Sequence, residues 1–390
     1  MVESFKFSRV PQIIFGPGKL KELPSVIRKY GSSVLIITGA RSFESTARGK
    51  GLFRELESKQ FAIHRARIQN EPSPADIDKI TGNYLKKNID VVVAIGGGSV
   101  MDTGKAVSAM ILSGEGVKDY LEGVGTKVHS GIKLPFIAVP TTSGTGSETT
   151  NNAVISEIGE KGFKKSLRHD NFIPDYAIVD PELTLSCDPE ITAASGMDAF
   201  SQLLESYLSD KASIFTDSLA VEGLRCISMC LLKAYKDGNY IEARTGMAYA
   251  AMVSGITLSN AGLGVVHGFA SALGGYTEIP HGIVCGTLMG SANRKNVDVL
   301  CKEHKIKNAL IKYGIAGKMF IDNKGKSDEY YARAFADHIE ELITILKLPR
   351  LGDFGIKTEH ADKIVDSTSL KNNPVSLSRA DLLEIILNRI

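Results

Sequence analysis

Val91 to Lys105 reads VVVAIGGGSVMDTGK: a continuous apolar run, three glycines, a serine and then an amphipathic continuation. An unbroken apolar run of this length suits a strand covered on both faces, the condition of a strand inside a parallel sheet flanked by helices. Gly96, Gly97 and Gly98 then allow a tight turn in which the backbone comes close to a ligand. A helix starting near Ser99 aims its unpaired N–H groups and the positive end of its dipole back at that turn, an arrangement that suits phosphate. The stretch is neither G-x-G-x-x-G nor a loop ending in Gly-Lys-Ser/Thr, so taken alone a plain strand-to-helix turn explains it as well.

The rest of the first half repeats that design. Short apolar runs at Gln12 to Phe15, Val34 to Thr38, Phe61 to Ala66, Leu134 to Val139 and Tyr176 to Val179 alternate with helical patterns, which predicts a mainly parallel sheet with helices on both faces. After Asp180-Pro181 the pattern is helical only, and Asp188-Pro189 reads as the cap and first turn of a long helix through Met197, Leu203, Leu204 and Tyr207. At 390 residues the chain is too long for one core. The expected organisation is an α/β domain over residues 1–181, an all-α domain over residues 182–390, and a site in the cleft between them. Asp322 to Ser327 reads as a surface loop.

Composition narrows the function classes. A net charge of +2 gives no nucleic-acid footprint, and five cysteines without C-x-x-C spacing give neither a disulfide framework nor a zinc knuckle, which fits a reducing cytoplasm. Thr245 to Thr277 contains no Asp, Glu, Lys or Arg, but Gly255, Asn260, Gly262, Gly264, Gly268, Gly274 and Gly275 interrupt it, so it is read as tightly packed helices and not as a membrane span.

One βα unit after the glycine turn lies PTTSGTGSE, Pro140 to Glu148, a loop of hydroxyls and open N–H groups suited to phosphate or ribose. Together with Gly96 to Lys105 it resembles the fingerprints GGGS-x-x-D-x-x-K and P-T-T-x-G-T-G-S-E of the iron-containing (group III) alcohol dehydrogenase family, within the dehydroquinate synthase-like superfamily. The resemblance extends from FGPG at Phe15 to Gly18, through GMDA at Gly196 to Ala199, to His267, His281 and NNP at Asn372 to Pro374.

That resemblance makes the first half a dinucleotide-binding domain, with Gly96, Gly97, Gly98, Ser99, Asp102, Thr141, Thr142, Thr145 and Lys164 at the cofactor. Asp102 and Lys105 share one helix face, and locally a solvated ion pair explains them equally well. Where the family carries an aspartate after the second strand this chain has Gly39, followed by Ala40, Arg41 and Ser42. With the repelling carboxylate gone and a cation added, NADP(H) is favoured over NAD(H).

In the second half the resemblance implies Fe²⁺ or Zn²⁺ held by Asp198, Gln202, His267 and His281, with Gln202 standing where the family has a third histidine. An amide is a weaker donor than imidazole, so the metal is expected to be held less firmly, or Gln202 to bond the substrate directly. A family histidine one turn after His267 is replaced by Ser271, which can pass a proton but cannot store one near neutral pH. His64, His129, His169, His304, His338 and His360 are read as surface or incidental, and Phe200, Phe269 and Tyr276 as candidate pocket lining.

The implied activity is hydride transfer between NAD(P)(H) and a small alcohol or aldehyde, a metal polarising the substrate oxygen and Asp198, His267, His281 and Ser271 at the reacting centre. The competitors are a metal-dependent lyase like 3-dehydroquinate synthase, which needs basic side chains that Val265 to Ile283 lacks, and a metal-free reductase or non-catalytic nucleotide binder. A small-molecule substrate, no nucleic acid or membrane partner, and a homodimer or higher homo-oligomer complete the expectation.

Overall fold

The computed structural model describes residues 3–39, 43–159, 162–303 and 307–390. The first half lays down β1 (Gln12–Phe15), α1 (Leu23–Arg28), β2 (Ser33–Gly39), α2 (Ala47–Ser58), β3 (Ala62–Ile68), α3 (Pro74–Tyr84), β4 (Val91–Gly96), α4 (Gly98–Met110), β5 (Phe136–Pro140), β6 (Asn152–Glu157), β7 (Phe163–Arg168) and β8 (Tyr176–Val179). Six of these strands form one parallel sheet in the order β1-β8-β5-β4-β2-β3. Period-two alternation explains its burial. Val92 and Ala94 join Leu35 and Ile37 in the core on one face, while Val91, Val93 and Ile95 join Val34 and Ile36 on the other.

The second half is α5 (Pro189–Leu208), α6 (Ile214–Lys236), α7 (Ile241–Ala261), α8 (Val265–Leu273), α9 (His281–Glu303), α10 (Lys307–Phe320), α11 (Asp328–Ile345), α12 (Ala361–Ser367) and α13 (Arg379–Leu387). Among the described residues no strand follows Val179, as the pattern after Asp180 predicts. Asp188 caps α5, its carboxylate accepting from the Ile191 N–H at 2.8 Å. Ala177 and Val179 of β8 pack into the same core as α5 to α13, so the helices are joined to the sheet by continuous apolar contact. Among the described residues no single helix is long and apolar enough to cross a membrane; α7 and α8 meet at 96°, which breaks the uncharged stretch into two short, mostly buried pieces.

Two signature turns have mechanical roles. Asp180 accepts from the N–H groups of Gly18 and Leu20 at 3.0 and 2.9 Å, which ties the FGPG turn to the end of β8. Gly146, at φ +61°, lies so close to Gly255 of α7 that a Cβ on either would strike the other's backbone. The hydroxyl-rich loop is thereby pressed onto the helical half.

The structure corrects several expectations. The antiparallel hairpin β6–β7 was not anticipated. Phe200 and Phe269 are fully buried, Phe200 stacked on Phe320 at 5.2 Å, so neither lines a pocket; Tyr276 is partly exposed beside His360. His129 is not a surface residue: it is buried, 3.2 Å from the Ala109 carbonyl oxygen, and it accepts from the Gly131 N–H.

Nor are Asp102 and Lys105 a solvated ion pair. Lys105 is 0% exposed and its ammonium donates to Ser147 O, Ser147 Oγ, Thr150 Oγ1 and Asn152 O at 2.7–3.1 Å, while Asp102 accepts from Ser147 Oγ at 2.6 Å. Lys105 thus pins the loop after β5 to α4. Lys105→Met leaves buried carbonyl oxygens without donors, and urea unfolding should show a loss of roughly 2–3 kcal/mol. Burial pulls the pKa of Lys105 down to about 8. The unfolded chain keeps that proton up to about pH 10.4, so from pH 8 to that value the unfolded state binds more protons and wild-type stability rises relative to Lys105→Met. A stability difference that stays flat across that window contradicts the assignment.

Candidate active site

In the sheet order, β2 and β4 are neighbours, yet the chain leaves β2 toward β3 on one side and β4 toward β5 on the other. A crevice at the carboxyl ends of such strands is where open α/β sheets take their ligands. Gly39 ends β2 and Gly96 ends β4, while Gly97 caps α4 in an extended conformation. Thr141 N–H donates to Gly96 O at 2.9 Å, and a Cβ on Gly98 would come within 2.6 Å of Thr145 Cγ2. The glycine turn and the hydroxyl loop, both singled out in the sequence, therefore stand side by side at the α4 N-terminus. Among the described residues a Cβ on Gly39 meets only Val100 Cγ2, at 3.7 Å.

Arg41, with Ala40 and Ser42, lies outside the described residues. A carboxylate that the sequence reading did not weigh, Glu44, accepts from Thr38 Oγ1 at 2.7 Å at the end of β2. Arg67 and Arg65 of β3 pair with it, and the hydrogen bond from Arg67 holds its carboxyl below the usual carboxylate range. The local charge is therefore not left negative.

The second cluster is built by α5, α8 and α9. Apolar packing buries nearly the whole last three turns of α5, and within that buried stretch stands Asp198, 1% exposed, whose Oδ1 has no hydrogen-bond donor. His267 Nε2 lies 3.4 Å and His281 Nε2 3.7 Å from that oxygen. Asp198, His267, His281 and Cys285 each offer one ligand atom, all within 4.8 Å of one another. His281 is the least buried of the four and forms the open side of the cluster.

Electrostatics lock this arrangement. Burial pushes the Asp198 carboxyl up, but His281 and His267 outweigh it and hold it below the ordinary range. His267 resists burial and is raised well above the usual imidazole value by Cys285, Asp198 and Glu205. His281 is lowered to about 4 by lost hydration and by the Lys164 ammonium. Glu205, seven residues after Asp198 on the same buried face of α5, accepts from His267 Nδ1 at 2.7 Å with one oxygen and from Val266 N–H at 2.6 Å with the other. It fixes the ring and leaves Nε2 free to ligate. The NNP segment secures the same corner, since Asn372 N–H donates to Leu263 O at 2.9 Å just before α8.

The other anticipated residues fall as follows. Gln202 lies one turn from Asp198, and its amide oxygen accepts from Ser254 Oγ at 2.6 Å. Ser271 donates to His267 O at 2.8 Å and accepts from Lys371 Nζ at 3.2 Å, so the proton that a serine cannot store stands next to it on an ammonium. Lys164 sits on β7, against the Gly274 backbone, with its Nζ on both oxygens of Glu71 at 2.6 and 2.7 Å. Basic groups do reach this corner, although Val265 to Ile283 holds none: Lys371 and Lys164 arrive from distant segments. Glu205, Glu71, Lys371 and Cys285 were missed. Of these Glu205 and Cys285 carried a local signal, an acidic residue seven positions after Asp198 on one helix and a thiol four positions after His281 on another.

Residues 11–181 match the model of the iron-containing alcohol dehydrogenases, and residues 192–390 match that of the C-terminal region of the Fe-containing alcohol dehydrogenase family. Alcohol dehydrogenase 4 of Saccharomyces cerevisiae is 30% identical over 384 residues, 96% of each chain. The NAD-dependent methanol dehydrogenase of Bacillus methanolicus is 29% identical over 386 residues, 97% of this chain and 98% of its own. A solved alcohol dehydrogenase from Oenococcus oeni superposes with a TM-score of 0.88 at 27% identity, covering 99% of this chain and 100% of its own. The same parallel sheet followed by a helical half is found in that structure, and the chain belongs to the iron-containing alcohol dehydrogenase family.

Proposed function

We propose that the protein transfers hydride between a nicotinamide dinucleotide and a small alcohol or aldehyde, with a divalent cation at Asp198, His267 and His281. One observation carries the metal part: a carboxylate oxygen, fully buried and without a donor, aimed at the same point as two imidazole Nε2 atoms. Two imidazoles compensate that buried charge only in part, and a cation that displaces the His267 proton meets it fully while taking both Nε2 nitrogens as ligands. When bound, the ion supplies Lewis acidity to the substrate oxygen, and the nicotinamide carries the hydride.

The remaining roles belong to the chain itself. Asp198 offsets one charge of the ion, and Glu205 keeps His267 in the ligating tautomer. The glycine turn, Ser99, Thr141, Thr142 and Thr145 receive the pyrophosphate and ribose beside the α4 N-terminus. Asp102 acts behind them by holding Ser147. Ser271 and Lys371 hold a proton within reach of the substrate oxygen, and Lys164, neutralised by Glu71, orders the β6–β7 hairpin between the cofactor and His281. The lyase reading is set aside because both matching family models describe alcohol dehydrogenases.

Cofactor choice is the finer point. The relative from Bacillus methanolicus is NAD-dependent by its name, but Gly39 leaves room beside the ribose position, and Arg65 and Arg67 neutralise Glu44. We infer that a 2′-phosphate is accepted and NADP(H) preferred. Gly39→Asp meets no clash among the described residues and should move the preference toward NAD(H) by about ten- to a hundredfold, the worth of one charged contact. Equal use of NADH and NADPH by the wild type would contradict this.

Metal dependence is tested by removal. Chelation should abolish turnover, Fe²⁺ or Zn²⁺ should restore it, and Asp198→Asn should weaken metal retention by more than the roughly 10–100-fold that loss of an outer partner costs. Full activity in protein shown by elemental analysis to be free of transition metal contradicts the reading.

A further inference from the structure

We propose that Cys285 is the fourth protein ligand of this cation, which makes the site one for a thiophilic ion such as Zn²⁺ or Co²⁺; the inference rests on the metal reading above. His281 and Cys285 are one turn apart on α9, so both side chains lie over one spot. Cys285 Sγ is 3.6 Å from His267 Nε2 and 3.7 Å from His281 Nε2. A tetrahedral ion with nitrogen and oxygen ligands at ~2.0–2.1 Å and sulfur at ~2.3 Å spaces neighbouring ligand atoms by roughly 3.4–3.6 Å. Four of the six edges, those of the imidazole nitrogens with Asp198 Oδ1 and with Cys285 Sγ, are 3.4, 3.7, 3.6 and 3.7 Å, and all four ligand atoms lie within 4.8 Å of one another, so a small inward movement brings them to the spacing of such a site.

Two further observations point the same way. Asp198 Oδ1 is buried with no donor, and Cys285 is 0% exposed with its polar contacts confined to the other members of the cluster. Gln202, the alternative fourth ligand, has its amide oxygen engaged by Ser254. A thiolate is a softer donor than an amide oxygen and selects zinc-like ions over Mg²⁺ or Mn²⁺. On binding, the S–H proton leaves to solvent and the sulfur lone pair goes to the ion, with no change of oxidation state.

The test uses the full-length protein, stripped of metal and titrated with Co²⁺. The expected result is an intense near-ultraviolet thiolate-to-cobalt charge-transfer band that saturates at one ion per chain. The band should be lost in Cys285→Ser and Cys285→Ala and kept in Cys187→Ser, with the fold of each variant checked by circular dichroism. Competition with a chelator should show Zn²⁺ held at least about tenfold less firmly by Cys285→Ser, the lower end of what loss of an outer partner costs. Stoichiometric Co²⁺ without the band, or a band that survives in Cys285→Ser, overturns the assignment and leaves the three-ligand metal reading in place. Failure to bind Co²⁺ at all overturns both.

Discussion

The structure turns on a carboxylate that should not be where it is. Asp198 stands in the middle of α5, a helix whose Met197, Phe200 and Leu203 belong to the helical core, and its Oδ1 receives no hydrogen bond. An ionised carboxylate in that position costs several kcal/mol unless a counter-charge meets it. The nearby imidazoles supply part of the compensation, and they keep the carboxyl below its usual range against the effect of burial. A helix packed as tightly as α5 would not retain this residue for packing alone, so the apolar setting is itself the argument for a cation.

The surrounding fold serves to hold that centre against the cofactor end of the sheet. His267 reaches it because α7 and α8 turn through 96° at the glycines between them, and because Glu205 and Asn372 fasten the first turn of α8. The other wall comes from the α/β half. Lys105 pins the hydroxyl loop to α4, and the Gly146–Gly255 contact presses that loop onto α7. The β6–β7 hairpin brings Lys164 toward His281, and Glu71, from the segment between β3 and α3, pairs with it there. Each of these ties joins segments far apart in sequence, which is how one small volume receives groups from both halves.

Much of this was legible in the residues. Strand runs such as Val91 to Ile95 are apolar because both faces are covered, and helix starts such as Asp188-Pro189 carry their own caps, so the sheet, the helical half and their junction follow from local rules. The proposed ligands Asp198, His267 and His281 and the two loops proposed for the cofactor came from motif resemblance. What could not be read depends on tertiary contact. β6 (Asn152–Glu157) and β7 (Phe163–Arg168) lack the period-two alternation that marks a strand, and β7 carries Lys164, Lys165 and Arg168, so nothing set them apart from a surface loop. Lys105 looked solvated because its four acceptors lie more than forty positions away. Cys285 follows His281 by one helical turn, but it looked like one of five unrelated thiols because its closeness to His267 exists only once α8 and α9 pack. Phe200 was misjudged for the opposite reason: being next to a functional residue on a helix puts a side chain on the other face.

The central claim is that the buried charge of Asp198 is met by one cation between α5, α8 and α9. Crystals of the protein grown with Zn²⁺ and NADP(H), with data collected on both sides of the zinc absorption edge, test it without reference to turnover. The account predicts a single anomalous peak at bonding distance from Asp198 Oδ1, His267 Nε2 and His281 Nε2, on the side facing the crevice beside Gly96 to Gly98. A peak elsewhere in the chain, or an ordered Asp198 bonded to a water or a protein donor with no peak beside it, would contradict it.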